Sequence, residues 1–309
     1  MTKETILSVE NVSKHYGKQA ALQQFNLEVK RGDIVGIAGR NGAGKTTLLR
    51  LIAGLTPIET GNIRLFGSLD AKGLEANRQY TGTIIEAPAF IPEFTAKQNL
   101  EYYRIQRGLT DQKRADELLT LVGLENAGKK KFKNFSLGMK QRLSIALSLL
   151  HSPDLLILDE PINGLDPSGI IQIRELLLSL AKKHHLTILI SSHILSELEH
   201  LANRFVIINN GQKIDEFTKD ELAQRTQQYY EIQVDNAKKA TVLLEQVFQT
   251  TAYEVTDSHL IKLFDLSIPA SDIAHTFVTN GLKLSHLACK SHQLEAMYLD
   301  LVEGANTHA

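Results

Sequence analysis

The residues best suited to chemistry form one glycine-rich stretch, Gly39–Thr47, which reads Gly-Arg-Asn-Gly-Ala-Gly-Lys-Thr-Thr. It fits the pattern of a glycine, any four residues, and then Gly-Lys-Ser/Thr. Glycines let consecutive backbone N–H groups point at one anion, and a helix that begins there adds the positive end of its dipole. Lys45 supplies a full charge for the β- and γ-phosphates, and the Thr46 hydroxyl is placed to ligate Mg²⁺. The stretch therefore predicts a phosphate-binding loop.

Three other residues are placed to complete such a site. Asp159 and Glu160 follow Leu155–Leu158, an unalternated apolar run that predicts a strand buried in a parallel sheet. Ligands bind at the carboxyl edge of such sheets, where Asp159 can hold Mg²⁺ and Glu160 can accept a proton from an attacking water. His193 follows the next predicted strand, Leu186–Ser192, and is placed to contact the γ-phosphate.

The segments around these residues predict the elements that position them. Ile34–Ala38 is a short apolar strand before the loop, and Leu48–Gly54 is a helix after it with a glycine cap. Asp166-Pro167 predicts a helix start with proline at the first helical position. Asn210-Gly211 predicts a hairpin turn.

The rest of the chain divides into three kinds of segment. Ile6–Glu10 and Phe25–Val29 alternate apolar and polar residues, which predicts antiparallel strands, and Tyr80–Glu86 predicts another strand. Residues 95–150 predict a helical insert, with a capping box at Thr95, a helix capped by Asp111, and a helix over 139–150. After residue 217 the order strand, helix, strand, strand, helix, strand, helix predicts a small ferredoxin-like unit, whose last strand covers 282–287 and last helix 293–302.

Composition narrows the classes of protein. The chain has 309 residues, a formal net charge of -1 and a pI near 6.8, so nothing in its charge favours a nucleic-acid partner. Its one cysteine, Cys289, excludes an internal disulfide and favours a reducing compartment. No apolar run is long enough to span a bilayer, and the polar N-terminus predicts no signal peptide. If the protein works at a membrane, other subunits must cross it.

Taken together, the motifs resemble the ATP-binding cassette of ABC transporters, over roughly Ile6 to Phe217. The matching segments are Gly39–Thr47 (Walker A), Leu155–Glu160 (Walker B), Phe135–Arg142 (the signature at a helix start), Asn163–Asp166 (the D-loop), His193 (the switch histidine) and Tyr16 (the aromatic that stacks on adenine). The resemblance implies an α/β P-loop fold with a parallel-sheet core, an N-terminal antiparallel β subdomain and a helical subdomain. Residues 1–217 would form the cassette, and 218–309 a C-terminal α+β domain.

The resemblance also implies roles for individual residues. Glu160 and His193 would be catalytic, and Thr46, Glu86 and Asp159 would face Mg²⁺. The nucleotide-binding residues would be Tyr16, Gly39, Asn41, Gly42, Ala43, Gly44, Lys45, Thr46, Thr47, Ser136, Gly138 and Asp166.

The family works as a head-to-tail dimer, with ATP between Walker A of one cassette and the signature of the other. This arrangement implies two partners, a second ATP-binding subunit, identical or not, and integral membrane permease subunits. The chain would then be cytoplasmic and peripheral on the inner face of the membrane. Hydrolysis would loosen the dimer and move the permeases.

Two positions depart from the family pattern. The signature usually has Ser-Gly-Gly, and here Leu137 replaces the first glycine. At Glu86 the family normally has glutamine, which touches Mg²⁺ or water and faces the membrane subunit. Glu86, the residues after it and the C-terminal extension resemble cassettes that export peptide antibiotics for self-protection, of the bacitracin and lantibiotic-immunity kind.

Two alternatives remain at this point. A soluble ABC-type ATPase acting on ribosomes or DNA would usually carry a second cassette or a long coiled-coil insertion, and the chain has neither. A P-loop kinase or GTPase would leave the signature helix without a role, and no guanine-reading Asn/Thr-Lys-any-Asp motif is present.

Overall fold

The computed structural model describes residues 3–225, 228–290 and 294–307. The described residues fall into two compact units, of which the second spans Asp220–Asp300. No helix in these three stretches combines the length and apolar character that crossing a bilayer requires.

The first unit alternates strands and helices. Its strands are β1 (Thr5–Tyr16), β2 (Gln19–Lys30), β3 (Ile34–Ala38), β4 (Thr60–Leu65), β5 (Thr81–Ile84), β6 (Leu155–Asp159), β7 (Thr187–Ser192), β8 (Arg204–Asn209) and β9 (Gln212–Thr218). Its helices are α1 (Lys45–Ile52), α2 (Ala71–Asn77), α3 (Ala96–Gln106), α4 (Arg114–Leu121), α5 (Leu137–Ser148), α6 (Pro167–His184) and α7 (Leu195–Leu201).

A six-stranded sheet forms the centre of this unit, in the order β5-β6-β7-β3-β8-β9. The first five strands are parallel, and β9 returns antiparallel to β8 through Asn210-Gly211, both with positive φ. Strands β3 and β7 are buried along their whole length, as unalternated apolar runs predict. The parallel core places the loops after β3, β6 and β7 along one edge of the sheet.

A second sheet, in the order β2-β1-β4, is antiparallel. The alternating residues of its strands bury one face against β3 and α1 in a shared core that includes Val9, Phe25, Ile37 and Leu48. Strands β1 and β2 extend beyond the predicted segments, and Tyr16 ends β1 next to Gly17, which has a φ of 62°. The α/β P-loop class with an antiparallel N-terminal subdomain is confirmed.

Helices α3, α4 and α5 lie between β5 and β6 and form the predicted helical insert. The capping box is confirmed: the Thr95 side chain accepts from the Gln98 backbone, and the Gln98 side chain accepts from the Thr95 backbone. The predicted Asp111 cap is wrong, because α4 begins at Arg114 after Lys113, and Asp111 instead accepts a turn bond from the Lys113 N–H.

The predicted bounds of one further helix and one strand need correction in the first unit. Helix α5 begins at Leu137, not 139, because Ser136 caps it, and it ends at Ser148 rather than 150. Strand β5 covers Thr81–Ile84 rather than 80–86, since its ladder to β6 ends at Ile84. Glu86 therefore lies in the loop that follows the strand.

The second unit has the order β-α-β-β-α-β. Its elements, with the helices at its borders, are α8 (Lys219–Arg225), β10 (Tyr229–Val234), α9 (Ala237–Val247), β11 (Tyr253–Val255), β12 (Leu260–Leu263), α10 (Ala270–Thr279), β13 (Leu284–Lys290) and α11 (Leu294–Thr307). The antiparallel sheet runs β11-β12-β10-β13 and packs on α9 and α10 through Ile232, Ile261, Leu244 and Phe277.

The last strand and the last helix of this unit have other bounds than predicted, and the strand, β13, ends at Lys290 rather than 287. Strand β13 begins at Leu284 rather than 282, because the Leu282 N–H donates to the Phe277 carbonyl and closes helix α10. The last helix extends to Thr307, beyond the predicted 302, and its predicted first residue, Gln293, lies outside the described residues.

Candidate functional site

The predicted phosphate-binding loop connects β3 to α1 at the carboxyl edge of the central sheet. Gly44 precedes the first residue of α1 and has a φ of +110°. A methyl group on Gly44 would lie 2.5 Å from the Ala21 carbonyl oxygen, and one on Gly39 would lie 2.6 Å from that of Ile208. These two positions therefore require glycine, so that the loop can fold tightly against its neighbours.

The Lys45 side chain lies at the centre of the loop and is almost completely buried. Its ammonium group donates to the carbonyl oxygens of Gly39, at 2.7 Å, and Arg40, at 3.2 Å. It also lies 3.1 Å from Oε1 of Glu160. A buried ammonium needs such acceptors, and these three oxygens provide them.

The other predicted loop residues have simpler surroundings. Ala43 is buried, and its N–H donates to the Arg40 carbonyl at 3.1 Å. Asn41 and Gly42 are exposed, whereas Thr47 is half-buried in the first turn of α1.

Thr46 and Asp159 are brought together although 113 positions separate them in the sequence. The Thr46 hydroxyl donates to Oδ2 of Asp159 at 2.7 Å, and the other carboxylate oxygen accepts from the Ser191 hydroxyl. A hydroxyl and a carboxylate are the hard oxygen donors that Mg²⁺ prefers, and Mg²⁺ usually takes one or two carboxylates with phosphates and water completing its shell. The pair fits that ion, and no group of three or more His, Cys, Asp or Glu able to hold a metal occurs among the described residues.

Glu160 and His193 also meet. Nδ1 of His193 lies 2.7 Å from Oε2 of Glu160, and the His193 N–H donates to the same oxygen at 3.3 Å. Oε1 of Glu160 is shielded from solvent, and its close partner is the Lys45 ammonium, 3.1 Å away. Both carboxylate oxygens are thus held in place, one by Lys45 and the other by His193.

The backbone of Glu160 has a φ of 49°, an uncommon conformation for a residue with a side chain. Ser191 supports it, since the Glu160 N–H donates both to the Ser191 hydroxyl, at 3.1 Å, and to the Ser191 carbonyl. Sequence reasoning missed Ser191. The available signal was a serine near the end of an apolar strand. A hydroxyl buried there, as that of Ser191 is, needs hydrogen-bond partners.

Glu86 lies apart from the Thr46–Asp159 pair in its hydrogen bonding. Its carboxylate is 73% exposed and accepts from Arg50, which points from helix α1. Both residues line a cleft of about 810 Å³ whose wall also carries Arg78, Arg107 and His151. Burial and the neighbouring Arg107 lower the pKa of His151, so that its neutral form is favoured there.

The remaining predicted residues lie at exposed helix starts and at the end of β1. Ser136 caps α5 by accepting from the Met139 N–H, and Gly138 is the second residue of that helix. Asp166 caps α6 by accepting from the Gly169 N–H, and the Ser168 hydroxyl lowers the pKa of this carboxyl further. Tyr16 is 49% exposed, with the Lys14 ammonium 5.9 Å from its ring centre.

Comparison with known proteins gives a consistent result. The family model described as ABC transporter matches residues 22–163. The chain is 41% identical over 300 residues to the bacitracin transport ATP-binding protein BcrA of Bacillus licheniformis, covering 97% of this chain and 98% of that protein. It is 42% identical over 212 residues to the lantibiotic transport ATP-binding protein SrtF of Streptococcus pyogenes, covering 68% of this chain and 89% of that one.

A solved structure has the same fold in the cassette region. It is the dimeric post-hydrolysis state of the ATP-binding cassette MJ0796 bound to ADP and Pi. The two chains share 28% sequence identity with a TM-score of 0.61, over 69% of this chain and 99% of the other.

Proposed function

Because the chain belongs to the ATP-binding subunits of ABC transporters, we propose that it binds Mg·ATP together with a second cassette and powers the export of a peptide antibiotic through separate permeases. The ATPase activity is that of the family. The observation that carries the proposal is the meeting of Lys45, Glu160 and His193 at the loop that follows β3.

The residues of this chain divide the work of hydrolysis between them. The backbone N–H groups of the loop and the Lys45 ammonium bind the β- and γ-phosphates, so Lys45 must release the Gly39 and Arg40 carbonyls when nucleotide enters. Thr46 and Asp159 would hold Mg²⁺, which neutralises charge that develops on the phosphate oxygens. Glu160 accepts the proton of the attacking water, and His193 holds its carboxylate in position.

The second cassette completes the site. Ser136 and Asp166 lie at exposed helix starts, where each accepts from the backbone of its own helix. Neither of them hydrogen-bonds to Lys45. The N-terminus of α5 offers a positive dipole end to an anion, so the signature of one subunit supplies a second cradle for the γ-phosphate bound to the other. Closure of the two subunits excludes bulk water from the site and aligns the water molecule that attacks the γ-phosphate.

Substrate and membrane attachment are proposed from the relatives. The two relatives described above are named for transport of bacitracin and of a lantibiotic, and the first of them matches 97% of this chain. The cleft around Glu86 and Arg50 is open and carries polar groups, which suits it to receive a cytosolic segment of the permease. The protein would thus be peripheral on the cytoplasmic face of the membrane.

The variant Glu160→Gln tests the catalytic part of this proposal. It keeps the size of the side chain but removes the proton acceptor, so hydrolysis should fall by about 10² to 10⁴ while ATP still binds. Closed dimers should then accumulate with Mg·ATP, and size-exclusion chromatography with light scattering measures them.

The matched control is the double variant Glu160→Gln, Lys45→Ala, which removes phosphate binding and should remain monomeric with ATP. A Glu160→Gln protein that hydrolyses ATP at the parental rate would contradict the role of Glu160. A Glu160→Gln protein that stays monomeric with Mg·ATP at every concentration would contradict a site completed by two subunits.

A further inference from the structure

Two leucine side chains join the start of α5 to the turn before α6. Leu137 is the first residue of α5, and Leu165 immediately precedes Asp166, the cap of α6. A methyl group on Gly164 would lie 3.3 Å from Cδ2 of Leu137, and one on Gly138 would lie 4.0 Å from Cδ2 of Leu165. Each glycine therefore lies next to the leucine of the other segment. We call this arrangement the leucine clasp.

The clasp depends on the sizes of its members. Gly164 has a φ of +75°, and a side chain there would press against Leu137. Leu165 also packs beside Gly169 in the first turn of α6, where a methyl group would lie 3.4 Å from its Cβ. A glycine at position 137, which the family signature usually has, could not reach Gly164. The contact is thus created by the departure of this chain from the family pattern.

The burial of Leu137 is not that of a core residue. Its side chain is 50% exposed, and Asn163, Gly164 and Asp166 are exposed beside it. The contact joins two surface segments whose caps, Ser136 and Asp166, each hold a helix start. The leucine clasp thus lies between these two helix starts within one subunit.

We propose that Leu137 and Leu165 are positioning residues that make the signature and the D-loop of one subunit approach the partner as a single rigid unit. The inference rests on the proposed function, because it needs a site completed by two subunits. Small misplacements of groups that contact the transition state cost rate even where binding is preserved. Loosening the clasp should therefore lower kcat and weaken ATP-dependent dimerisation, but leave nucleotide binding to the loop of the monomer unchanged.

A double-mutant cycle on the full chain tests this coupling. Leu137→Ala and Leu165→Ala should each lower kcat, by about three- to tenfold. Because either change loosens the same pair of segments, the double variant should be less impaired than the product of the single effects, by at least about threefold. Effects that simply multiply would overturn the proposal.

Matched variants separate positioning from folding. Leu137→Met replaces the branched side chain with an unbranched apolar one of similar volume that can still reach Gly164, and it should retain most of the rate that Leu137→Ala loses. Leu178→Ala removes another partly exposed leucine from α6, about three turns from its start, and should leave kcat at the parental value. A fall in the thermal midpoint of Leu137→Ala that fully accounts for its lost activity would contradict a positioning role, as would weaker binding of a fluorescent ATP analogue to the dilute monomer.

Measuring the dissociation constant of the ATP-dependent dimer in the Glu160→Gln background separates a failure of the leucine clasp from a failure of the proposed function. If Glu160→Gln alone forms no dimer, the proposed function fails. If it forms a dimer, and adding Leu137→Ala changes neither the dimer dissociation constant nor, in the parental background, kcat, only the clasp fails.

Discussion

At the scale of single residues, neighbours give two adjacent carboxylates different tasks. Asp159 accepts from the hydroxyls of Thr46 and Ser191, which leaves an acceptor suited to a hard cation. Glu160 lies between the Lys45 ammonium and the His193 ring, with Oε1 paired to the first and Oε2 to the second. The difference lies in the partners, since both side chains are carboxylates at one strand end.

The prediction at this scale concerns Glu86→Gln. Because the carboxylate is exposed and its partner is Arg50, the change should alter the ATP dissociation constant of the chain by less than about twofold. It should alter the peptide-stimulated ATPase rate of the assembled transporter more strongly, since Glu86 lines the cleft that we propose receives the permease. Nucleotide titration of the chain and steady-state rates of the complex measure the two effects.

The matched control is Arg50→Gln, which breaks the same ion pair from the other side and should change stimulation similarly. A loss of nucleotide affinity in Glu86→Gln that appears only with Mg²⁺ would show instead that Glu86 is a metal ligand.

At the scale of elements, side-chain caps define where the functional helices begin. Thr95, Ser136 and Asp166 cap α3, α5 and α6, and each accepts from a backbone N–H three residues ahead. Such caps satisfy donors that the helix cannot pair internally. Ser136 and Asp166 are also predicted to face nucleotide. These two caps would therefore place the positive dipole ends of α5 and α6 beside the nucleotide.

The prediction at this scale is that Thr95→Ala destabilises the chain by about 1 kcal/mol, since it removes the hydroxyl that accepts from the Gln98 N–H. Thr95→Ser keeps the hydroxyl and should retain most of the stability. Urea unfolding monitored by circular dichroism measures the midpoint, and equal slopes show that the difference is one of stability. Alanine and serine variants with the same midpoint would contradict the cap.

At the scale of the whole molecule, two units differ in what they carry. The predicted catalytic and nucleotide-binding residues all lie in the first unit, at helix starts and strand ends around the central sheet, apart from Tyr16 on β1. The second unit, an antiparallel sheet covered by two helices, contains no motif for chemistry that the sequence reveals. The sequence match to the bacitracin relative covers 97% of this chain and so extends into the second unit.

The prediction at this scale is that co-expression of the chain with its permeases raises the tolerance of a sensitive bacterium to a bacitracin- or lantibiotic-type peptide. Glu160→Gln, produced at the same level, should abolish the effect because export requires hydrolysis. Growth at graded peptide concentrations measures it, with permeases alone and a non-peptide antibiotic as controls. Purification with ribosomes or DNA, rather than with polytopic proteins from solubilised membranes, would favour the non-transport alternative.

The order of motifs was readable from the sequence because each is local. A glycine loop between a strand and a helix, an apolar strand before Asp159 and a serine cap before α5 are governed by backbone geometry and hydrophobic pattern over a few residues. The family and the α/β class followed from these segments. The false Asp111 cap shows the limit, since an aspartate can bond its own turn instead of starting a helix.

The tertiary structure alone decided which of these segments touch. Four contacts join residues that are far apart in the chain. They are Ser191 with Asp159, His193 with Glu160, Arg50 with Glu86, and Leu137 with Gly164. Such pairs depend on strand order and on side-chain packing, which local periodicity does not specify. The chain by itself thus determined the types of groups and their elements, and the folded sheet decided their partners, because parallel strands bring distant loops to one edge.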